Sequence, residues 1–135
     1  MHEQYKDRVR FQTVYIREAH ALDEWQMESN EKEDVCYRQP HSLGDRMQIA
    51  NDFVKRFHYP IPLAVDTMDD HAEKLYAGWP ERLYVIDTHG VIVYKGEPGP
   101  FGYHPEEAEA FLSSQLAQPA RSSQLSARRE RNQRR

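Results

Sequence analysis

Cysteine is almost absent from this sequence, and long apolar runs are absent altogether. A single cysteine among 135 residues excludes an internal disulfide framework and a Cys-x-x-Cys redox pair. No apolar run approaches the roughly 18 residues of a membrane-spanning helix. The first ten residues, MHEQYKDRVR, contain no apolar stretch of the signal-peptide type. These absences predict a soluble protein, which we expect in the cytoplasm.

The chain is long enough for one domain with one core. Apolar residues make up 39% of the sequence and charged residues 30%, a balance typical of globular proteins. The net charge is −4, but residues 121–135 hold six arginines and one glutamate. This arginine-rich tail lacks apolar periodicity, which predicts disorder. Arginine runs bind phosphates non-specifically, but no aromatic residue in the tail could stack on a base, so the sequence disfavours nucleic acid as a partner.

The first half of the chain alternates a strand, a helix and a second strand. Residues 9–17 are apolar on both faces, which suits an interior parallel strand. Residues 21–41 are polar and irregular, which predicts a loop. Ser42 occupies an N-cap position before apolar residues at helical spacing, and this pattern predicts a helix over 43–57. The short apolar run LAVD at 63–66 predicts the next strand.

The second half adds a helix, a hairpin and a closing helix. We expect Asp69 or Asp70 to cap the second helix, which turns Leu75 toward the core. Residues 82–96, RLYVIDTHGVIVYKG, contain two β-rich runs around a glycine-containing turn and predict a β-hairpin. Pro105 suits the first position of the closing helix. The order of elements predicts an α/β fold whose first part is built from right-handed parallel crossovers.

The stretch VYIREAH, residues 14–20, reads as a strand that runs out into polar groups. Strand ends are where α/β proteins often place their chemistry. Glu18 and His20 are both residue types that transfer protons. A Glu-x-His pair at a strand end is also common as a cap or a surface pair, so these residues by themselves leave the function open.

Five segments together resemble a known family. They are VYIREAHALDEW (14–25), LGDR (43–46), PLAVDTMDD (62–70), YAGWPERLYVI (76–86) and YKGEPGPFGYHPEE (94–107). In this order they are similar to the iodothyronine deiodinase family, and in particular to its bacterial relatives. The resemblance implies an α/β, thioredoxin-like fold with a mixed sheet flanked by helices. It implies a domain over residues 1–118, followed by the tail at 119–135.

The resemblance also implies that part of the family's fold lies outside this sequence. The family's nucleophile, a selenocysteine or cysteine, ends an earlier strand, and neither that strand nor its turn is found here. Residues 1–8 resemble the last turn of the helix that would follow, so we expect the first β-α unit to be truncated. The strand in question would lie between VYIRE and RLYVID. We therefore expect Met1 to be an internal methionine, with a UGA or cysteine codon roughly 20 to 30 codons upstream inside a strand-turn-helix pattern.

The resemblance assigns site residues one by one. Glu18 and His20 match the family's catalytic pair, which serves proton transfer near the nucleophile. Tyr15 matches a position that lines the same substrate pocket, although an aromatic residue within a strand is often part of the core. Trp79 and Pro80 occupy the place of a cis-proline peptide beside the nucleophile. We expect this peptide bond to be cis and to lie within one side-chain length of the catalytic pair.

Cys36 is the only thiol, and it falls in the predicted loop. It is either an inert small hydrophobic residue or a resolving thiol within reach of a nucleophile on the strand that is not part of this sequence. The seven histidines show no zinc-binding spacing. Helix capping and solvation account for Asp66, Asp69 and Asp70. We therefore expect no metal site.

These features imply a deiodinase-like oxidoreductase that depends on a thiol or selenol. Its reductive chemistry would take place at a cysteine or selenocysteine absent from these 135 residues. The alternative is a catalytically silent thioredoxin-fold module that binds a partner. The enzyme would need no bound cofactor but an external thiol reductant. Its partners would be a small-molecule or thiol substrate and that reductant, with no membrane, and a homodimer is left open. The sequence does not specify the substrate.

Overall fold

The computed structural model of the protein describes residues 1–19 and 37–117. Helices alternate with short strands, so the predicted α/β class is confirmed. His20, Cys36, most of the predicted loop and the arginine-rich tail lie outside the described residues. The elements in chain order are α1 (His2–Tyr5), β1 (Thr13–Tyr15), α2 (Leu43–Phe57), β2 (Leu63–Val65), α3 (His71–Tyr76), β3 (Tyr84–Ile86), β4 (Ile92–Lys95) and α4 (Pro105–Ala117).

The chain divides into two compact units. Of the described residues, 1–19, 37–82 and 97–103 form the first, and residues 83–96 with 104–117 form the second. Within the described ranges, β1 and β2 form a parallel two-stranded sheet, and β3 and β4 form an antiparallel one. We predicted a sheet that contains both parallel and antiparallel strands. Both kinds of pairing are present, but each belongs to its own small sheet. No helix in these ranges is both long and apolar enough to cross a bilayer.

Strand β1 is much shorter than the predicted strand over residues 9–17. Thr13 pairs with Leu63 and Tyr15 with Val65, so the ladder is three residues long. It is short because β2 begins immediately after Pro62, which has no N–H to extend a ladder. In the described part of the chain β1 pairs along one edge only, and 44% of Val14 is exposed to solvent.

Helix α2 begins and ends as its sequence predicts. The Ser42 side chain accepts a hydrogen bond from the Asp45 N–H at 3.1 Å, which caps the first turn. His58 ends the helix in a left-handed conformation. Beyond this end, the Tyr59 hydroxyl lies 2.7 Å from Thr13 Oγ1, and this hydrogen bond joins the exit of α2 to β1. Ile49 and other residues of one face of α2 are buried.

The second unit is the predicted hairpin followed by the predicted closing helix. Gly90 has a φ of 81°, a value that disfavours any side chain, and it lies in the turn between β3 and β4. Asp87 secures this turn by accepting hydrogen bonds from the N–H groups of His89 and Val91 at 2.8 and 3.0 Å. The Tyr94 and Phe111 rings lie 5.3 Å apart, and they pack β4 against α4.

Candidate active site at the ends of the parallel strands

The carboxyl ends of β1 and β2 lie side by side at one edge of the parallel sheet. The last pair of the ladder is Tyr15 with Val65, and the Asp66 N–H then donates a hydrogen bond to the Tyr15 carbonyl at 2.8 Å. Arg17 and Glu18 follow β1 at this edge, and Asp66 follows β2. Because the two strands are parallel, their polar end groups meet at the same edge.

The Asp66 carboxylate organises the start of α3. It is 5% exposed, and it accepts hydrogen bonds from the N–H groups of Thr67, Ala72 and Glu73, each at 2.9 Å. Burial by itself raises the pKa of the Asp66 carboxyl. The three backbone donors and the Arg46 charge outweigh burial, so this pKa lies below its ordinary value. Asp66 therefore remains an anion and anchors the N-terminus of α3.

Arg46 joins α2 to the turn before α3. Only 3% of this residue is exposed. Its Nη1 donates to the Thr67 carbonyl at 2.6 Å, and its Nη2 donates to Asp70 Oδ1 at 2.9 Å. Asp70 has a left-handed backbone and makes no side-chain cap to α3. Asp70 is the N-cap residue of α3, as predicted, but its carboxylate binds Arg46, and the N–H groups of Ala72 and Glu73 in the first turn donate to Asp66 instead.

Arg17 connects the end of β1 to α3 and to the turn after it. Its Nε lies 3.1 Å from Oε2 of Glu73, whose side chain is 11% exposed. Its guanidinium carbon lies 5.0 Å from the centroid of the Trp79 ring. This arrangement is a cation–π contact next to an ion pair. The end of β1 is thus held against the turn that contains the Trp79–Pro80 peptide.

The structure describes some of the predicted site residues and not others. The Trp79–Pro80 peptide bond is cis, as predicted. Arg17 contacts Trp79, which brings the segment that carries Glu18 to this turn. The Glu18 carbonyl accepts a hydrogen bond from Gln39 Nε2 at 2.6 Å. His20 and Cys36 lie outside the described residues, so their assigned roles remain predictions.

Tyr15 is half-buried, and its hydroxyl is fully enclosed. In the described ranges that hydroxyl makes no hydrogen bond. A buried hydroxyl without a partner costs free energy, and its removal is nearly neutral or stabilising. We expect Tyr15→Phe to leave the free energy of unfolding unchanged or to raise it by up to about 1 kcal/mol. Urea unfolding would measure this change, and a loss above about 1 kcal/mol would instead indicate a hydrogen-bond partner for the hydroxyl.

The contacts that hold the site together were not predicted from the sequence. Arg46, Asp66, Glu73 and Arg17 form consecutive contacts from α2 to the cis peptide. Asp66 was assigned to helix capping, and its place immediately after a parallel strand also marks the edge of the sheet where the site lies. Arg17 stands between the strand and Glu18, and the sequence assigned it no role. Within residues 1–19 and 37–117 no three His, Cys, Asp or Glu side chains come together as a metal site.

The arrangement is suited to proton transfer next to a partly exposed aromatic surface. A glutamate follows the strand, an arginine neighbours it, and 40% of Trp79 is exposed beside a cis-proline peptide. Carboxyl groups at such positions can donate or accept protons. The described part contains no cysteine, so a thiol nucleophile is not among the groups that these residues bring together.

Comparison with known proteins identifies the family. The family model of the iodothyronine deiodinases matches residues 1–116. The chain is 39% identical over 102 residues to a type I iodothyronine deiodinase of Xenopus laevis and 38% identical over 104 residues to a thyroxine 5-deiodinase of Gallus gallus. It is 33% identical over 108 residues to a thyroxine 5-deiodinase of Bos taurus.

These matches cover 76% to 80% of this chain but only 34% to 38% of each relative, so the chain spans little more than a third of the relatives' length. The three relatives are vertebrate proteins. A closer kinship with bacterial members of the family stays a prediction. The match of the family model, together with these identities, shows that the chain belongs to the iodothyronine deiodinase family.

Proposed function

We propose that this chain carries the proton-transfer side of a deiodinase-type active site. Glu18 and His20 transfer protons, and Tyr15, Trp79 and Pro80 line the substrate pocket. The observation that supports this most is the cation–π contact between Arg17 and Trp79 in a member of this family. The contact brings the Glu18 segment to the cis peptide, as a shared active site requires.

The proposed reaction replaces iodine on an aromatic ring by hydrogen. The carbon–iodine bond breaks, and the iodine passes to the sulfur or selenium of a cysteine or selenocysteine outside residues 1–135. The ring carbon keeps the bonding electron pair and takes a proton, which Glu18 or His20 supplies. One thiol, either Cys36 or an external reductant, then displaces iodide from the chalcogen. A further thiol reduces the resulting mixed disulfide or selenosulfide, so two thiols end as one disulfide.

Two observations support a nucleophile outside this sequence. The sequence contains one cysteine, Cys36, and it falls in a predicted loop and not at a helix N-terminus, where a thiolate would be stabilised. The relatives named above are deiodinases that are more than twice as long as the matched region. The cytoplasmic location and the external thiol reductant belong to the same proposal, and a homodimer is left open.

The test is to express the product translated in frame through any UGA codon upstream of Met1 and to measure iodide release from iodothyronines with dithiothreitol. We expect release by this longer product and none by residues 1–135. Glu18→Gln and His20→Ala should each lower kcat by about 100-fold. An in-frame UAA codon close to Met1, or release that both replacements leave unchanged, would contradict the proposal. Either result would favour the silent partner-binding module.

A further inference from the structure

Arg17 takes part in a closed ring of contacts at the end of β1. Its guanidinium pairs with Glu73 and stacks on Trp79. The Gly78 N–H donates a hydrogen bond to the Glu73 carbonyl at 2.9 Å. The ring therefore runs from Arg17 through Trp79 and Gly78 to Glu73 and back to Arg17. It joins three separate segments of the chain without using any group assigned to proton transfer.

The Glu73 member of this ring is itself fixed in place. Its N–H donates to the Asp66 carboxylate at 2.9 Å, its carbonyl accepts from Gly78, and its side chain is 11% exposed. An ion pair with a fixed, largely enclosed partner is screened less by solvent than a fully exposed pair. Glu73 can therefore hold Arg17 in a defined position, although 41% of the Arg17 side chain is exposed.

The segment that carries Glu18 is held from both sides. Arg17, the residue before Glu18, is fixed on α3 and Trp79. The Glu18 carbonyl is fixed by the hydrogen bond from Gln39. A segment held at two successive residues keeps few of its backbone conformations.

We propose that Arg17 is a positioning residue that fixes Glu18 relative to the Trp79–Pro80 peptide, and that Glu73 acts through Arg17. The proposal rests on the proposed function, in which Glu18 transfers a proton beside that peptide. Misplacement of a reacting group by about 1 Å can cost on the order of 100-fold in rate. Loss of Arg17 should therefore lower kcat by a larger factor than it raises KM, because Arg17 touches the pocket only through Trp79.

The first test is spectroscopic and uses residues 1–135 with Trp25→Phe, so that Trp79 is the only tryptophan. Arg17→Gln removes the cation that covers the indole, and we expect the acrylamide quenching constant of Trp79 to rise about twofold. Glu73→Gln should shift quenching in the same direction because it releases Arg17. Arg17→Lys keeps the charge but loses the planar guanidinium. The quenching constant of Trp79 in this variant should therefore lie between that of the parent and that of Arg17→Gln.

The matched control is Arg56→Gln. Arg56 also stacks on an aromatic ring, with its guanidinium carbon 6.0 Å from the Phe57 ring centroid, but it belongs to α2. This replacement should leave the quenching of Trp79 unchanged. Equal quenching in the parent and in Arg17→Gln would overturn the proposal, whatever the activity of the enzyme.

The second test uses the active, longer product. Arg17→Gln should lower kcat for iodide release by about tenfold or more, with a smaller change in KM, and Arg17→Lys should recover part of the loss. An unchanged kcat in Arg17→Gln would overturn the proposal. If the unmodified product releases no iodide, the proposed function fails, and the quenching of Trp79 then decides by itself whether Arg17 holds this turn. The two failures are therefore distinguishable.

Discussion

Replacement of Asp66 by alanine is expected to lower the free energy of unfolding by about 3 kcal/mol. The carboxylate is 5% exposed and satisfies three backbone N–H groups, those of Thr67, Ala72 and Glu73. A hydrogen bond to a charged group contributes about 1.5–3 kcal/mol, and loss of a helix cap costs about 1 kcal/mol. The three bonds share one anion, so their contributions do not simply add.

Urea unfolding of Asp66→Ala, Asp66→Asn and the unmodified protein measures this loss. Asp66→Asn keeps one acceptor oxygen and should lose roughly half as much free energy. The matched control is Asp69→Ala, which removes an exposed carboxylate that accepts a hydrogen bond from the Thr67 side chain in the same turn, and it should lose much less free energy than Asp66→Ala. Equal losses for Asp66→Ala and Asp69→Ala would show that the buried carboxylate does not anchor α3.

The same carboxylate gives stability a defined dependence on pH. The pKa of Asp66 is lower in the folded protein than the value of about 3.9 expected in the unfolded chain. A depressed carboxyl pKa stabilises the fold fully above the unfolded pKa, and this stabilisation is lost as the pH falls through the folded pKa. The difference in stability between the unmodified protein and Asp66→Asn should therefore be constant near neutral pH and shrink below about pH 4.

Local sequence signals predicted the helices and turns well. The Ser42 cap, the apolar spacing of α2 and the Pro105 start of α4 are each decided by residues within one or two helical turns. The turn of the hairpin likewise depends on nearby groups, namely Asp87 and the left-handed Gly90. These features could be predicted because the interactions that determine them are short in sequence and follow known residue preferences.

The inward faces of two helices were harder to predict. Leu75 was expected to face the core, but it is 69% exposed. In α2 the buried residues include Arg46, Ile49 and Ala50, whereas Met47 is 48% exposed. Apolar spacing misplaces the inner face of α2 because a buried guanidinium occupies part of it. Its partners lie more than 20 residues further along the chain, so no local pattern signals them.

The candidate site could be located from the sequence but its supporting contacts could not. The end of β1 and the cis Trp79–Pro80 peptide were both predicted, and Arg17 joins them. The ion pair of Arg17 with Glu73 spans 56 positions in sequence. Contacts of this kind depend on how the strands and helices pack, so they became visible only in the folded structure.

Replacement of Arg46 by methionine is expected to lower the free energy of unfolding by about 3 kcal/mol. Methionine can fill much of the space of the arginine stem, but it leaves the Thr67 carbonyl and the Asp70 carboxylate without their donors. Breaking a buried ion pair from one side costs about 3–5 kcal/mol. Asp70 is 23% exposed and can recover some hydration, so the loss should lie at the lower end of this range.

A double replacement separates the ion pair from the packing of the arginine stem. If the unpaired carboxylate causes the loss, Arg46→Met combined with Asp70→Asn should be less destabilising than the sum of the two single replacements. Arg56→Met, at an exposed position of the same helix, is the control and should leave the unfolding midpoint nearly unchanged. Strictly additive losses would mean that Arg46 and Asp70 act independently. Arg46 would then stabilise the turn that leads into α3 through the Thr67 carbonyl and not through the Asp70 carboxylate.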